Sequence, residues 1–188
     1  MIFDLVKSVM TLMTGTAPWW TGVPTTLLRK TTLVTAAENR LPVHTLTFSI
    51  PEDHRFTGKA KSHSDIALEL GDVVKIVIPG YKPKSYSVSA LRDKEFDVTF
   101  KVYPNGRASG YLDRLKVGDQ AYSFGMSAGR VRNPGNYLGI VAYGVGITEA
   151  LPIAQAELAD TNVEEVTLLW ASRTIEDTFW QDDLTKND

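Results

Sequence analysis

Cysteine is absent from the 188-residue chain. That excludes a disulfide framework, a thiolate nucleophile and any zinc or iron–sulfur site built on sulfur. Histidine is scarce: the chain has three, His44, His54 and His63. They lie far apart, lack metal-ligand spacing and read as incidental surface groups, so no metal site is expected. A basic excess is missing too, and the formal net charge of −2 argues against a dedicated nucleic-acid binder. The opening stretch MIFDLVKSVMTLM puts Ile2, Phe3, Leu5, Val6, Val9, Met10 and Met13 at helical spacing. Asp4 and Lys7 interrupt it, and it falls short of the ~20 residues of a spanning helix. It reads either as an interfacial anchor or targeting segment, or as a helix on the protein's own core.

What is present is globular material, 43% hydrophobic and 22% charged, long enough for one good core or two small ones. The modest net charge conceals an asymmetry. Residues 81–132 hold ten Lys/Arg against five Asp/Glu, whereas 149–188 hold two against ten. The middle of the chain suits anions and the end does not. After GTAPWWTGVP, which reads as a linker, short stretches follow from residue 29: RKTTLVTAAE, VHTLTFSIP, VVKIVIPG, KSYSVSAL and EFDVTFKVYP. Many are rich in β-branched and aromatic residues, and Pro, Gly, Asn or Asp turns divide them, which predicts an antiparallel barrel or sandwich. Beyond a boundary near Asn133–Asn136 the apolar run YLGIVAYGVG leads into TEALPIAQAELAD and then VTLLWAS. Ala150, Ile153, Ala154 and Leu158 share one helical face there, so the segment predicts a strand, helix, strand unit of a parallel sheet.

Three constellations carry chemistry. In PKSYSVSA, strand alternation sends Lys84 and Tyr86 to one face and Ser85 and Ser87 to the other, unless a twist at the strand end gathers them. A cation, a flat ring and small hydroxyls suit a ligand with phosphates and a planar heterocycle; an exposed Lys/Tyr strand face is the plainer alternative. In NGRASGYLDRLKVGD, Gly106 and Gly110 bracket Arg107 and Ser109 ahead of a short helical turn through Leu112 and Leu115. A glycine-lined helix start offers unpaired N–H groups to an anion, with a hairpin loop and a capped one-turn helix as the alternative. In AYGVGITEALPIAQ, Gly144 and Gly146 sit at a strand-to-helix turn, where open α/β sheets bind nucleotides. Pro152 fits a helix that begins near Thr148 or Glu149.

In this order the three pieces resemble the ferredoxin–NADP reductase superfamily. The run FKVYPNGRASGYLDRLKVGD is most similar to its cytochrome-b5 reductase and nitrate-reductase flavin-domain branch, and the resemblance covers residues 29–184. It implies an antiparallel Greek-key β-barrel that binds FAD, followed by a partial α/β parallel-sheet domain that binds NAD(P)H. The family's Arg-x-Tyr-Ser/Thr motif is matched by Lys84, Ser85, Tyr86 and Ser87. The resemblance implies that Tyr86 stacks on the flavin, that Ser87 donates near its N5 and that Lys84 meets the pyrophosphate, with Val88 adjoining. A lysine there keeps the charge of the family arginine but loses its planar fork. Gly106, Arg107, Ala108 and Ser109 would surround the FAD pyrophosphate. Lys101 and Tyr103 match a Lys-Val-Tyr strand beside flavin and nicotinamide, which makes Ser87 and Lys101 the candidate catalytic residues. For NAD(P)H the resemblance points to Gly144, Gly146, Ile147 and Thr148, and to Ser172 and Arg173 at the end of the next strand. Glu149 replaces the proline of the family's Gly-Thr-Gly-Ile-x-Pro.

The implied function is an FAD-dependent oxidoreductase that passes electrons from NAD(P)H to a haem protein, an iron–sulfur protein or a small molecule. The alternative is a flavin-binding module without NAD(P)H reductase activity, completed by another chain or C-terminally truncated. The expected layout is an N-terminal helix and linker over 1–28, an FAD barrel over 29–134 and a partial NAD(P) domain over 137–188. The expected setting is intracellular, cytoplasmic or membrane-peripheral, with peripheral contact through residues 1–14 and organelle targeting left open.

Overall fold

The computed structural model describes residues 22–52, 56, 72–126, 135–181 and 184. The expected N-terminal helix, membrane contact through residues 1–14, His54 and His63 lie outside the described residues. Among the described residues no helix is long and apolar enough to cross a membrane.

Six strands close an antiparallel barrel: β1 (Val23–Val34), β2 (Val43–Ser49), β3 (Val73–Ile76), β4 (Lys84–Arg92), β5 (Glu95–Lys101) and β6 (Gln120–Met126), in the order β1-β2-β5-β4-β3-β6. Alternation builds it. On β2, Leu46 and Phe48 point inward, and on β5 Phe96, Val98 and Phe100 do, joined by Leu27, Val74, Ile76 and Val88. Phe48 and Phe96 stack with centroids 5.6 Å apart, and Phe56 packs on Phe96 at 5.8 Å. Each large apolar side chain taken fully out of water contributes roughly 1.5–3 kcal/mol. The sequence reading differs at two places here. β1 starts at Val23, not at residue 29, because Val23–Thr26 pair with β6. β6 itself lacks a strong strand signature, yet it closes the barrel by pairing with both β1 and β3.

The outward residues of the same strands form a buried polar layer. Thr45 and Thr99 hydroxyls meet at 2.8 Å, Ser89 meets Thr99 at 2.9 Å, and the Thr47 hydroxyl donates to Asp97 at 2.7 Å. His44 also corrects the expectation of a surface group. It is buried, with Nδ1 3.1 Å from the Thr32 hydroxyl and Nε2 3.2 Å from Asp113.

α1 (Arg107–Arg114) follows β5. It runs longer than one turn, its Leu112 is fully buried in the barrel core, and Arg114 in the last turn complements the dipole.

The second unit is β7 (Tyr137–Tyr143), a 3-10 turn Gly144–Gly146, α2 (Ile147–Leu158) and β8 (Glu165–Ala171). β7 and β8 pair in parallel, Tyr137 with Glu165 through Tyr143 with Ala171, as the pattern predicts. α2 begins at Ile147, so Pro152 is its sixth residue rather than part of its first turn. There it removes the N–H that would reach back to Thr148. The buried face runs through Ile147, Ala150, Leu151 and Ala154, while Leu158 is 54% exposed. The face is turned from the expected one because Val34 and Val43 of the barrel pack on it with Phe179. Among the described residues the sheet's other face is exposed: Tyr143, Tyr137, Leu169 and Val141 are 73%, 69%, 61% and 59% exposed.

Candidate functional site

Strand ends and one helix start converge on a cavity of about 580 Å³. β4 supplies Lys84, Ser85 and Tyr86; β5 and the residues after it supply Thr99, Phe100, Lys101 and Tyr103; the α1 start supplies Gly106, Arg107, Ala108 and Ser109. From the second unit come Val145 and Thr148. Among the described residues the lining holds three cations, Lys84, Lys101 and Arg107, and no carboxylate.

The Tyr86 ring meets Phe100 edge-on with centroids 6.2 Å apart. Burial pushes its phenol up to about 12, so Tyr86 is a neutral ring with a hydroxyl donor at physiological pH. Ser85 joins Lys84 and Tyr86 at the cavity, so simple alternation fails at this strand end, whereas Ser87 is not among the lining residues. The Ser87 hydroxyl donates instead to Glu149 on α2 at 3.0 Å.

The α1 start is held open by its own loop. Ser109 Oγ accepts the Tyr103 N–H at 3.2 Å, and the Gly106 N–H donates to the Tyr103 carbonyl at 3.0 Å. A Cβ on Gly106 would stand 2.3 Å from Ser109 Oγ, so glycine is needed for the close approach. Gly106 caps α1 without a side-chain hydrogen bond, and no acid occupies the first turn. First-turn N–H groups lack intrahelical partners, so this start suits an anion.

Tyr81 is the site residue that sequence reasoning missed. Its ring contacts both Lys84 Nζ, at 5.5 Å, and Arg107 Cζ, at 5.3 Å from the centroid, so one aromatic ring gathers two cations. The available signal was an aromatic residue directly after the Pro79–Gly80 turn and three before Lys84.

Other sequence candidates sit elsewhere. Val88 is fully buried in the barrel core and its N–H donates to the Asp72 carbonyl at 2.8 Å, so its side chain faces away from the cavity. A bulge between Val88 and Ala90 marks the change of phase. Gly144, at φ +52°, makes the strand-to-helix turn, and its carbonyl takes the Trp170 indole N–H at 2.8 Å. Gly146 caps α2, and Ile147 is buried among apolar groups. Ser172 and Arg173 are not brought to this cavity. Among the described residues Ser172 Oγ is buried without a hydrogen-bond partner, and Arg173 reaches the Asn39 carbonyl at 3.5 Å. Among the described residues no cluster of three or more metal-ligating side chains occurs.

No protein-family profile matches the chain. Curated relatives do. It is 30% identical over 132 residues to NADH-cytochrome b5 reductase 1 of Aspergillus terreus, covering 66% of this chain and 44% of that protein. To NADH--cytochrome b5 reductase 1 of Arabidopsis thaliana it is 31% identical over 111 residues, covering 57% of this chain and 38% of that protein. The chain thus spans less than half the length of these relatives. Among solved structures, ferredoxin-NADP+ reductase from Plasmodium falciparum superposes with a TM-score of 0.62 at 19% identity, covering 87% of this chain and 63% of that one. Phthalate dioxygenase reductase gives 0.65 at 19% identity, covering 88% and 48%. These likenesses carry the fold, and the sequence relatives narrow it. The closed antiparallel barrel with a following parallel βαβ unit is the fold of these solved reductases, and in sequence the chain is similar to NADH-cytochrome b5 reductases.

Proposed function

We propose that the chain is the FAD-holding part of an NAD(P)H-dependent oxidoreductase that delivers electrons to a haem or iron–sulfur protein. The observation that carries this reading is the cavity itself, whose lining combines aromatic Tyr81 and Tyr86, three cations without an acid, and a glycine-capped helix start. Its volume of about 580 Å³ lies within the usual ligand range of roughly 300–1,000 Å³. The donor set fits FAD: Tyr86 offers a flat neutral face, Lys84 and Arg107 offer charge for a pyrophosphate, and the first turn of α1 offers N–H groups. When bound, the flavin supplies the step from two-electron to one-electron chemistry. The protein's part is binding and orientation. Phe100 braces the Tyr86 ring, Ser109 fixes the loop that presents Arg107, and Lys101 adds a further positive charge to the lining, which would favour a cofactor that becomes anionic on reduction.

A second reading, a flavin module without its own NAD(P)H reduction, is favoured by one contact. Ser87, expected beside the reacting edge of the flavin, is bonded to Glu149. Anaerobic mixing of the FAD-loaded chain with NADH and with NADPH separates the two. Rapid stoichiometric bleaching supports the reductase, and stable yellow colour supports the module. A purified chain that retains no FAD overturns both.

A further inference from the structure

A second cavity, of about 440 Å³, lies between the outer face of the barrel and α2. The barrel side is its polar layer, where Thr45, Thr47, Ser89 and Asp97 are all buried. The charges here are closed among themselves: Arg29 pairs with Glu95, and Arg92 pairs with Asp97 at 2.5 Å. Asp97 takes the Thr47 hydroxyl and the Arg92 guanidinium on the same oxygen, Oδ1. Among the described residues its other oxygen, Oδ2, accepts no hydrogen bond. The hydroxyls of Thr45, Thr99 and Ser89 share two bonds among three protons. One donor is therefore left over, and Thr45 and Ser89 can both turn it to the cavity. The remaining lining is apolar or flat, with Leu33, Leu151, Pro152 and the ring of Trp180. Trp180 sits at φ +60°, a left-handed backbone that bulky residues rarely adopt, and Phe179 meets its ring edge-on at 5.0 Å. Strain of this kind persists where the surroundings fix it, and it gathers at ligand sites.

We propose that this cavity is a second binding site, for an uncharged flat ring that carries a hydrogen-bond donor and an acceptor on one edge, as a lactam or cyclic urea does. The ligand's donor meets Asp97 Oδ2, and its acceptor takes the spare proton of Thr45 or Ser89. The body of the ring lies among Trp180, Leu33, Leu151 and Pro152. A charged ligand is disfavoured from both sides, since an anion meets Asp97 and a cation meets two arginines that already have partners. Burial makes the edge selective, because a ring without the donor leaves a desolvated carboxylate oxygen unpaired. The volume suits a molecule of one or two rings, at the lower end of the usual range of roughly 300–1,000 Å³. This inference stands apart from the flavin reading of the other cavity.

The test is calorimetric titration of 2-quinolone, a neutral bicyclic lactam, into the full chain as purified and again with excess FAD. Three probes accompany it: N-methyl-2-quinolone, which lacks the donor, quinoline-2-carboxylate, an anion, and N-methylquinolinium, a cation. 2-Quinolone is expected to bind at submillimolar concentration with and without added FAD. Each of the other three should bind roughly tenfold more weakly, the loss that follows from one unmet hydrogen bond to a charged group. Gln155 is exposed on α2 and borders the cavity, so Gln155→Trp should fill the space and abolish binding while the thermal melt stays unchanged. Trp180→Leu should weaken binding about fivefold, as loss of an aromatic contact does. No 2-quinolone binding at millimolar concentration, equal affinity for the N-methyl compound, tighter binding of either charged probe, or displacement by FAD would overturn the proposal. So would undiminished binding to folded Q155W. Should Q155W not fold, undiminished binding to W180L carries the same consequence.

Discussion

The barrel and the βαβ unit solve burial in opposite ways. In the barrel every strand has two hydrogen-bonded neighbours, and the inward faces of all strands share one interior with Phe48, Phe96 and Leu46 fully buried. Among the described residues the βαβ unit has two strands, and α2, Trp170, Phe179 and Trp180 pack on one sheet face. Parallel sheets are ordinarily covered on both faces. The cavity accordingly takes nearly all its chemistry from the closed part, and the open part contributes Val145 and Thr148 at one edge.

The largest contrast lies in stability. Phe96→Ala should cost about 3–5 kcal/mol through lost contacts and a cavity, whereas Leu169→Ser on the bare face should stay within about 0.5 kcal/mol. Urea melts of the two variants compare the regions directly, and a similar loss in both would erase the distinction. Next, Tyr86→Ala should weaken FAD binding by about 2 kcal/mol, in the range of an aromatic stacking contact, as read by flavin fluorescence titration. Retention of FAD with unchanged affinity would remove Tyr86 from the site. Lys84→Arg comes third. If Lys84 meets a pyrophosphate, the guanidinium fork should tighten FAD by about 1 kcal/mol, and an unchanged or weaker affinity would count against that role.

The smallest effect is one of pH. Burial, partly opposed by Asp113 and reinforced by Lys30, lowers the His44 pKa from 6.5. The unfolded chain therefore takes up a proton more readily than the folded one. This contribution is present above pH 6.5 and is lost as pH falls from there through the lower folded value. His44→Gln should flatten that part of the melting-temperature profile between about pH 7.5 and about 5.5. A variant profile parallel to wild type would show that His44 is not linked to folding.

The barrel was legible wherever alternation was clean. VHTLTFS and EFDVTFK read as strands because they are rich in β-branched and aromatic residues between turn signals, and in EFDVTFK the apolar residues also fall on every second position. β6 was harder, since QAYSFGM carries Gly and Ser and owes its state to partners on β3 and β1, far back along the chain. The Lys84–Ser87 motif was legible as chemistry but not as geometry. Periodicity cannot show that Ser85 turns into the cavity, or that a bulge after Val88 leaves the adjacent residues Val88 and Ser89 both buried. Tyr81 and the Ser87–Glu149 contact are tertiary facts, made by Arg107 and Glu149 from well beyond the motif itself. The exposed sheet face was foreseeable, because a two-stranded parallel sheet with apolar residues on both faces cannot bury both well against one helix, α2.

The buried hydroxyls of Thr45, Thr99 and Ser89 form a short chain in which either member of each pair can be the donor. Thr99 also borders the cationic cavity, while Thr45 and Ser89 border a second cavity of about 440 Å³ on the other side. Reversing every donor in this chain requires only rotation about C–O bonds, with no heavy atom displaced. A change of charge at one end can thus be met by a collective flip of small dipoles through an otherwise close-packed wall.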